Sequence, residues 1–401
     1  MKKTLVASAL AAIIAAPAVN AVELYKDDTN SVSMGGIVDA RVVSADGETD
    51  MANGWSRIYF TSEHQLTNGW SAFSKFEWGV NPFGNTTVNV NDNNEFSNST
   101  SNFLNNRLGY VGLSHDKFGQ VSFGKQWSVW YDVVGATNQP FAFDGNASGT
   151  YTYNKADGSF NGTGRADKAI QYRNAFGDFS FGVQLQLQQD DFQVDEILNV
   201  NPFPPQNFAN GSAIAANPMT TVEYKNTYGF SATYAMSDKL NLMVGGNMGE
   251  FDAITSKGVS FSETDYIYGV GMSYGDWNDG LYVAANVNKN QNHDTDNAGR
   301  LLPESVGIET LVSYKFDNNL RPFLSYNRLK ASDSYADTYG SNDEFDRQFV
   351  TAGVHYLWTK QVTLYAEGRV DFSDFTVSGD LAKLADAGEG NAVAFGVMYS
   401  F

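Results

Sequence analysis

From residue 31 to its end, the chain is a succession of segments about ten residues long in which bulky residues alternate with small or polar ones. The clearest are WSAFSKFEWGV (70–80), DFSFGVQLQLQQ (178–189), GFSATYAM (229–236), YIYGVGMSYG (266–275), LYVAANVNKN (281–290), GIETLVSYKF (307–316), RPFLSYNRL (321–329), FVTAGVHYLW (349–358) and VTLYAEGRVDF (362–372). A period of two sends successive side chains to opposite faces of a strand. Less regular segments lie near 31–45, 55–66, 106–115, 119–126, 166–176, 239–251 and 391–401, and 220–228 joins 229–236. The expected total is 16 strands.

The connections constrain the fold further, because they alternate strictly between short and long. LTNG (66–69), HDKFG (115–119), AFGD (175–178), SDK (237–239), GDWND (275–279), DNN (317–319) and TK (359–360) read as tight hairpin turns. The long connections cover about 82–105, 127–164, 190–219, 252–264, 291–304, 330–346 and 375–390, with 46–54 a smaller member. A meander built this way has all its turns at one end and all its loops at the other. That is the layout of an antiparallel barrel in an outer membrane.

The strand faces agree. In YIYGVGMSYG one parity is Tyr266, Tyr268, Val270, Met272 and Tyr274, and the other is mostly Gly and Ser. A soluble sandwich would bury the bulky face against a second sheet, but it would not sort its loops by length. A barrel presents that face to lipid, and about ten tilted residues suffice to span. With 16 strands the interior is too wide to fill and should hold water. The final AVAFGVMYSF is then the closing strand, which must pair with the first so that no free edge meets lipid.

Composition limits the alternatives. MKKTLVASALAAIIAAPAVNA opens with Lys2 and Lys3, continues through an apolar core and ends on small residues, the pattern of a secretory signal peptide cut after Ala21. The remainder, 22–401, carries 24 basic and 45 acidic residues, a formal charge of −21, which argues against nucleic acid as a partner. There is no cysteine, and therefore no disulfide framework. Many Gly and aromatic residues with only 9 Pro favour closely packed strands over disorder.

Specific motifs go beyond the barrel. FGKQWSVWYDVVGATNQPFAFDGNA (123–147) is followed by GRADKAIQYRNAFGDFSFGVQ (164–184), and SRIYF and NNRLGYVGL carry Arg57 and Arg107 on earlier strands. In order and spacing these resemble the general diffusion porins of Gram-negative outer membranes, and the resemblance runs over essentially all of 22–401. It implies a homotrimer in outer-membrane lipid that passes ions and small hydrophilic solutes by passive diffusion, without enzymatic activity or cofactor. It also implies that the third long loop folds into the barrel, where its acids face a ladder of basic residues on the wall. Carried over position by position, the wall is Arg57, Arg107 and Arg165, with Lys75 a further candidate, and the loop acids are Asp132 and Asp144. Asn138, Ala142 and Asn146 stand where relatives often carry further acids, and Ile37 replaces a basic wall residue seen in some of them. The total charge favours a weak cation preference, although at physiological salt a screening length of about 8 Å leaves the neck charges to decide.

Weaker signals point nowhere else. NVNDNNEF (89–96) fits no calcium-loop geometry, and by analogy its Glu95 is a candidate trimer latch. His64, His115, His293 and His355 fall in separate segments, so no metal site is argued. GGNMG (245–249) follows no helix and reads as close packing in the wall. No Ser and His form a recognisable hydrolase motif. A substrate-preferring porin of the same fold, or a surface adhesin or receptor acting through loops such as 190–219, remains compatible. A sugar-guiding row of aromatics is not visible on the inner parity.

Overall fold

The computed structural model describes residues 21–45, 47–83, 86–90, 96–100, 103–143, 145–151, 157–195, 219–255, 258–296, 300–376 and 390–401. Sixteen antiparallel strands close into one barrel. β1 is Asn30–Ala45, and β2 consists of Glu48–Asn53 and Arg57–Gln65. β3 (Trp70–Val80), β4 (Leu104–His115), β5 (Gly119–Trp127), β6 (Arg165–Phe176) and β7 (Phe179–Gln186) complete the first half-turn of the wall. β8 (Met219–Ala235), β9 (Leu240–Ile254), β10 (Ser260–Asp276), β11 (Asp279–Gln291) and β12 (Ser305–Lys315) follow. β13 (Leu320–Ala331), β14 (Glu344–Leu357), β15 (Val362–Asp371) and β16 (Ala392–Ser400) bring the sheet back to its start.

Closure uses both ends of the chain. β16 pairs with the upper half of β1, from Ile37↔Ser400 to Ala45↔Ala392. Val22–Lys26 takes over beside the lower half, from Val22↔Met34 to Lys26↔Ser31. At the junction, Gly36 N donates to Phe401 O at 2.9 Å, and Phe401 N donates to Gly36 O at 3.0 Å. A Cβ on Gly36 would lie 2.5 Å from the Phe401 ring, so the terminal ring sits where only glycine leaves space. The closing strands thereby leave no open edge between β16 and β1 among the described residues, as a wall in hydrocarbon requires.

Alternation sorts the faces as expected. In β16, Phe395 is 61% exposed and Ala394 is fully buried. The exposed bulky residues of other strands, such as Tyr268, Val270, Leu324 and Val354, form the outward apolar surface.

Two long connections of the sequence reading are shorter in the structure. Residues 48–53 pair with β1 around a turn at Gly47, and β9 and β10 run on to Ile254 and from Ser260. Their outer ends carry Glu250, Asp252, Ser262 and Glu263 and rise as a hairpin beyond the apolar band. Polarity alone makes such an extension look like a loop.

Candidate functional site: a loop pinned across the lumen

The third long loop, residues 128–164 (L3), leaves the end of β5 and returns to β6. Its base is closed by Ser128, whose N–H donates to Gly164 O at 2.8 Å and whose hydroxyl donates to Thr163 O at 2.6 Å. A single helical turn, Tyr131–Val134, follows. This turn can lie close against the wall because glycines line part of the wall beneath it, with Met243 and Ile267 packing on Val133 and Val134. Cβ atoms on Gly182 and Gly229 would meet Val129 at 2.8 and 2.9 Å, and one on Gly245 would meet Val133 at 2.7 Å. The Gly-rich inner parity of β7–β9 is thus the floor on which L3 rests, which gives GGNMG its close-packing role. Trp130 is fully buried and ties the loop to itself, its indole N–H donating to Ser148 O at 2.9 Å.

Two carboxylates on the far wall hold the rest of the loop. Glu309 on β12 accepts from Ala147 N at 3.0 Å and from Asn286 Nδ2 at 3.0 Å, and also takes the Thr137 hydroxyl. Glu367 on β15 accepts the backbone N–H groups of Phe141, Ala142 and Phe143 at 2.7, 2.9 and 3.1 Å. Behind it stands a relay. Arg321 can only donate, so its contact of 3.1 Å makes His355 Nδ1 an acceptor, and His355 Nε2–H then donates to Glu367 at 2.9 Å. Buried carboxylates that accept several N–H groups fix a loop firmly, because each orphaned donor would be costly.

Opposite L3, the basic residues expected from the sequence come together. Lys75 and Arg107 both reach Glu77, at 3.6 and 2.8 Å, and Arg57 acts electrostatically on the same carboxylate. Arg107 is the extra residue of a β-bulge, since Glu77 pairs with Leu108 and Trp78 with Asn106, and the bulge aims its side chain at Glu77. Arg165 joins through Asp157 (Nε at 3.1 Å), which Lys125 also reaches at 3.2 Å. Burial would raise the Asp157 carboxyl, but Arg165 and Lys125 outweigh it and hold the group below its ordinary range. Among the described residues, the terminal guanidinium nitrogens of Arg57, Arg107 and Arg165 have no acceptor. They form a row of donors along the inner face of the wall, the Arg107 and Arg165 side chains keeping 23% and 13% of their surface exposed.

The loop acids expected from the sequence behave differently from Asp157, which is itself an L3 residue facing the wall. Asp132 forms an ion pair with Arg173 and accepts from Ser231 at 2.9 Å, so it acts as a strut between L3 and the wall. Asp144 and Glu95 lie outside the described residues.

The sequence reading missed Glu309, Glu367, Lys125 and Asp157. Two of them had a faint signal: GIETL and YAEGR place Glu309 and Glu367 on the inner parity of their strands. Aromatics of the lumen were also missed, because they sit at strand ends, turns and L3. Trp55 contacts Phe141 edge-on at 5.6 Å, Trp127 stacks on Tyr131 at 4.1 Å, and Trp277 approaches Phe323 and His355.

Comparison with known proteins gives a consistent set. A family model described as Gram-negative porin matches residues 7–376. Outer membrane porin protein OmpD of Citrobacter koseri is 28% identical over 407 residues, covering 100% of both chains. Outer membrane protein S2 of Salmonella typhi is 27% identical over 419 residues, again covering 100% of both. Among solved structures, the Salmonella typhi OmpF complex with daunomycin superposes with a TM-score of 0.66 at 18% identity, covering 95% of this chain and 100% of that one. An anion-selective porin from Comamonas acidovorans does so with a TM-score of 0.58 at 17% identity, covering 93% and 100%. These structural likenesses concern the fold.

Proposed function

The chain belongs to the Gram-negative porin family, and from that premise we propose how this member selects what passes. It is a passive diffusion channel of the outer membrane for ions and small hydrophilic solutes, with no enzymatic chemistry. In our reading the neck lies between L3 and the wall bearing Arg57, Lys75, Arg107 and Arg165, with Asp144 completing it from the loop side. The observation that supports this best is the pinning of L3 on Glu309 and Glu367, across from guanidiniums whose terminal nitrogens have no acceptor among the described residues.

Selectivity follows from two charged regions that screen differently. Around the neck, Arg57, Lys75, Arg107, Lys125 and Arg165 face Glu77, Asp157 and Asp167, a described balance of five cations to three acids. The chain after residue 21 is strongly acidic, with 24 basic against 45 acidic residues. The Debye length is about 30 Å at 0.01 M salt and about 3 Å at 1 M. Weak cation preference therefore holds at low salt, where the mouths act at a distance, and fades at high salt, where only the neck is felt. Reversal potentials at the two ionic strengths test this; an anion-signed potential at low salt overturns it.

The partner is two further copies of the chain. On β8–β13 the outward face carries Tyr228, Phe230, Met248, Tyr268 and Leu324, all well exposed. On β1–β4 it intersperses Ala40, Ser62, Ala72, Ser74 and Gly109 among exposed Val38, Val42, Phe76, Val111 and Leu113, with the Ser62 and Ser74 hydroxyls 2.8 Å apart. Small and hydroxylated residues suit close contact between proteins in a membrane better than contact with lipid. Glu95 would latch a neighbouring copy from the second long loop. Cross-linking that gives monomers alone would overturn the trimer. Residues 1–21 would be the export signal, and a mature N-terminus other than Val22 would overturn that assignment.

A further inference from the structure

Trp55 and Trp127 occupy two of the places where L3 meets the basic wall. Trp55 sits on β2's interruption, two residues before Arg57, and touches Phe141 of the loop. Trp127 ends β5, pairs with Arg165 across the sheet, and stacks on Tyr131 of the loop at 4.1 Å. The Arg57 guanidinium lies 5.7 Å from the Trp55 ring centroid, and that of Arg165 lies 5.5 Å from the Trp127 centroid. Arg321 and Trp277 elsewhere in the barrel are 4.1 Å apart, so neither neck arginine is drawn tightly onto its indole. Between them stands Arg107, close enough to feel both other guanidiniums, with only its Nε used. The row of open donors is thus bounded at each end by an indole.

Resting on the reading of the neck given above, we propose that the neck recognises small aryl carboxylates. The carboxylate accepts from the terminal nitrogens of Arg57, Arg107 or Arg165, and the flat ring lies against Trp55 or Trp127. A guanidinium matches a carboxylate with two parallel hydrogen bonds, and an aromatic ring gains further attraction from a second ring that an alicyclic one of similar size and equal charge does not. The device discriminates by ring flatness, independently of charge.

The test uses full-length protein in planar bilayers at pH 7.5. Bi-ionic reversal potentials are read with potassium chloride on one side and potassium benzoate or potassium cyclohexanecarboxylate on the other. The expected result is a permeability for benzoate roughly five-fold that for cyclohexanecarboxylate. It should collapse toward equality in Trp55→Leu and Trp127→Leu and persist in part in Trp55→Phe and Trp127→Phe. Equal permeabilities in the wild-type channel overturn the proposal without needing any variant, and discrimination unchanged in both leucine variants overturns the role of the indoles. Arg57→Gln/Arg107→Gln/Arg165→Gln separates the two levels. If it leaves the chloride reversal potential unmoved, the neck itself is misplaced and this inference falls with it. If it shifts that potential while the two carboxylates permeate equally in the wild type, the inference about aryl anions alone is overturned.

Discussion

The Glu367 carboxylate on β15 accepts the backbone N–H of Phe141 at 2.7 Å, joining residues 226 apart in sequence and fixing the middle of L3 to the far wall. With the N–H groups of Ala142 and Phe143 it holds three otherwise orphaned donors. Hydrogen bonds to a charged group contribute about 1.5–3 kcal/mol each. Glu367→Ala should therefore leave the barrel assembled but loosen the loop, giving several-fold more open-channel current noise and a broader conductance distribution. Glu367→Gln, which keeps an acceptor oxygen, should lie between. Single-channel recording checks both.

Neutralising the wall should shift selectivity without disturbing the fold. Arg57 makes no side-chain hydrogen bond among the described residues, so Arg57→Gln removes one charge from the neck and little else. Cation preference should rise in a salt gradient, and more in Arg57→Gln/Arg107→Gln than in either alone. An unchanged or reversed shift would remove these residues from the neck.

Gly307 tests the seating of the loop from the wall side. A Cβ there would lie 1.8 Å from the Ala147 carbonyl oxygen, which backbone on either side cannot relieve cheaply. Gly307→Ala should displace the part of L3 held by Glu309 and change single-channel conductance by tens of per cent, while heat-modifiable barrel migration on gels stays as in the wild type.

His293 gives a pH dependence outside the membrane-spanning strands. Its Nδ1 lies 2.5 Å from Asp265 Oδ1 and its Nε2 lies 2.7 Å from Gly149 O, two acceptors, so both nitrogens carry protons and the ring is an imidazolium. Burial opposes the charge, but Asp265, together with Asp294 and the Gly149 carbonyl, raises its pKa to about 9 from the ordinary 6.5. Because the folded value lies above the unfolded one, the tie between L3 and residues 291–304 contributes fully below about pH 6.5 and is lost as pH rises through about 9. Histidine-selective NMR should show a titration midpoint near 9; one near 6.5 would contradict the tie.

Much of the barrel was legible in the sequence because each strand encodes its own face. Val393, Phe395, Val397 and Tyr399 on one parity of β16 are meaningful without knowing their neighbours. The lengths of the connections oriented the barrel by the same local logic, missing the paired polar strands at 46–54 and 252–264, and also those at 86–90, 96–100 and 192–195, where a polar strand outside the apolar band looks like a loop. The proposed neck was legible in part. Arg57, Lys75, Arg107 and Arg165 were named by carrying the porin resemblance over position by position, and the structure gathers the first three about Glu77 and sets Arg165 against Asp157. Glu309 and Glu367 were not, because their partners are backbone N–H groups of L3 more than a hundred residues earlier, and a backbone donor leaves no trace in composition. Asp132 was found but belongs to Arg173, since a one-residue turn of the helical segment Tyr131–Val134 decides whether it faces wall or water. Trp55 and Trp127 escaped for a similar reason: they stand where the strand period breaks.

The most direct test of the proposed acidic mouth and basic neck is the zero-current potential under a fixed ratio of potassium chloride, measured at low and at high ionic strength. The account predicts stepwise conductance, a cation-signed potential at low salt, and a potential that falls toward zero near 1 M. No conductance, or an anion-signed potential at low salt, would contradict it.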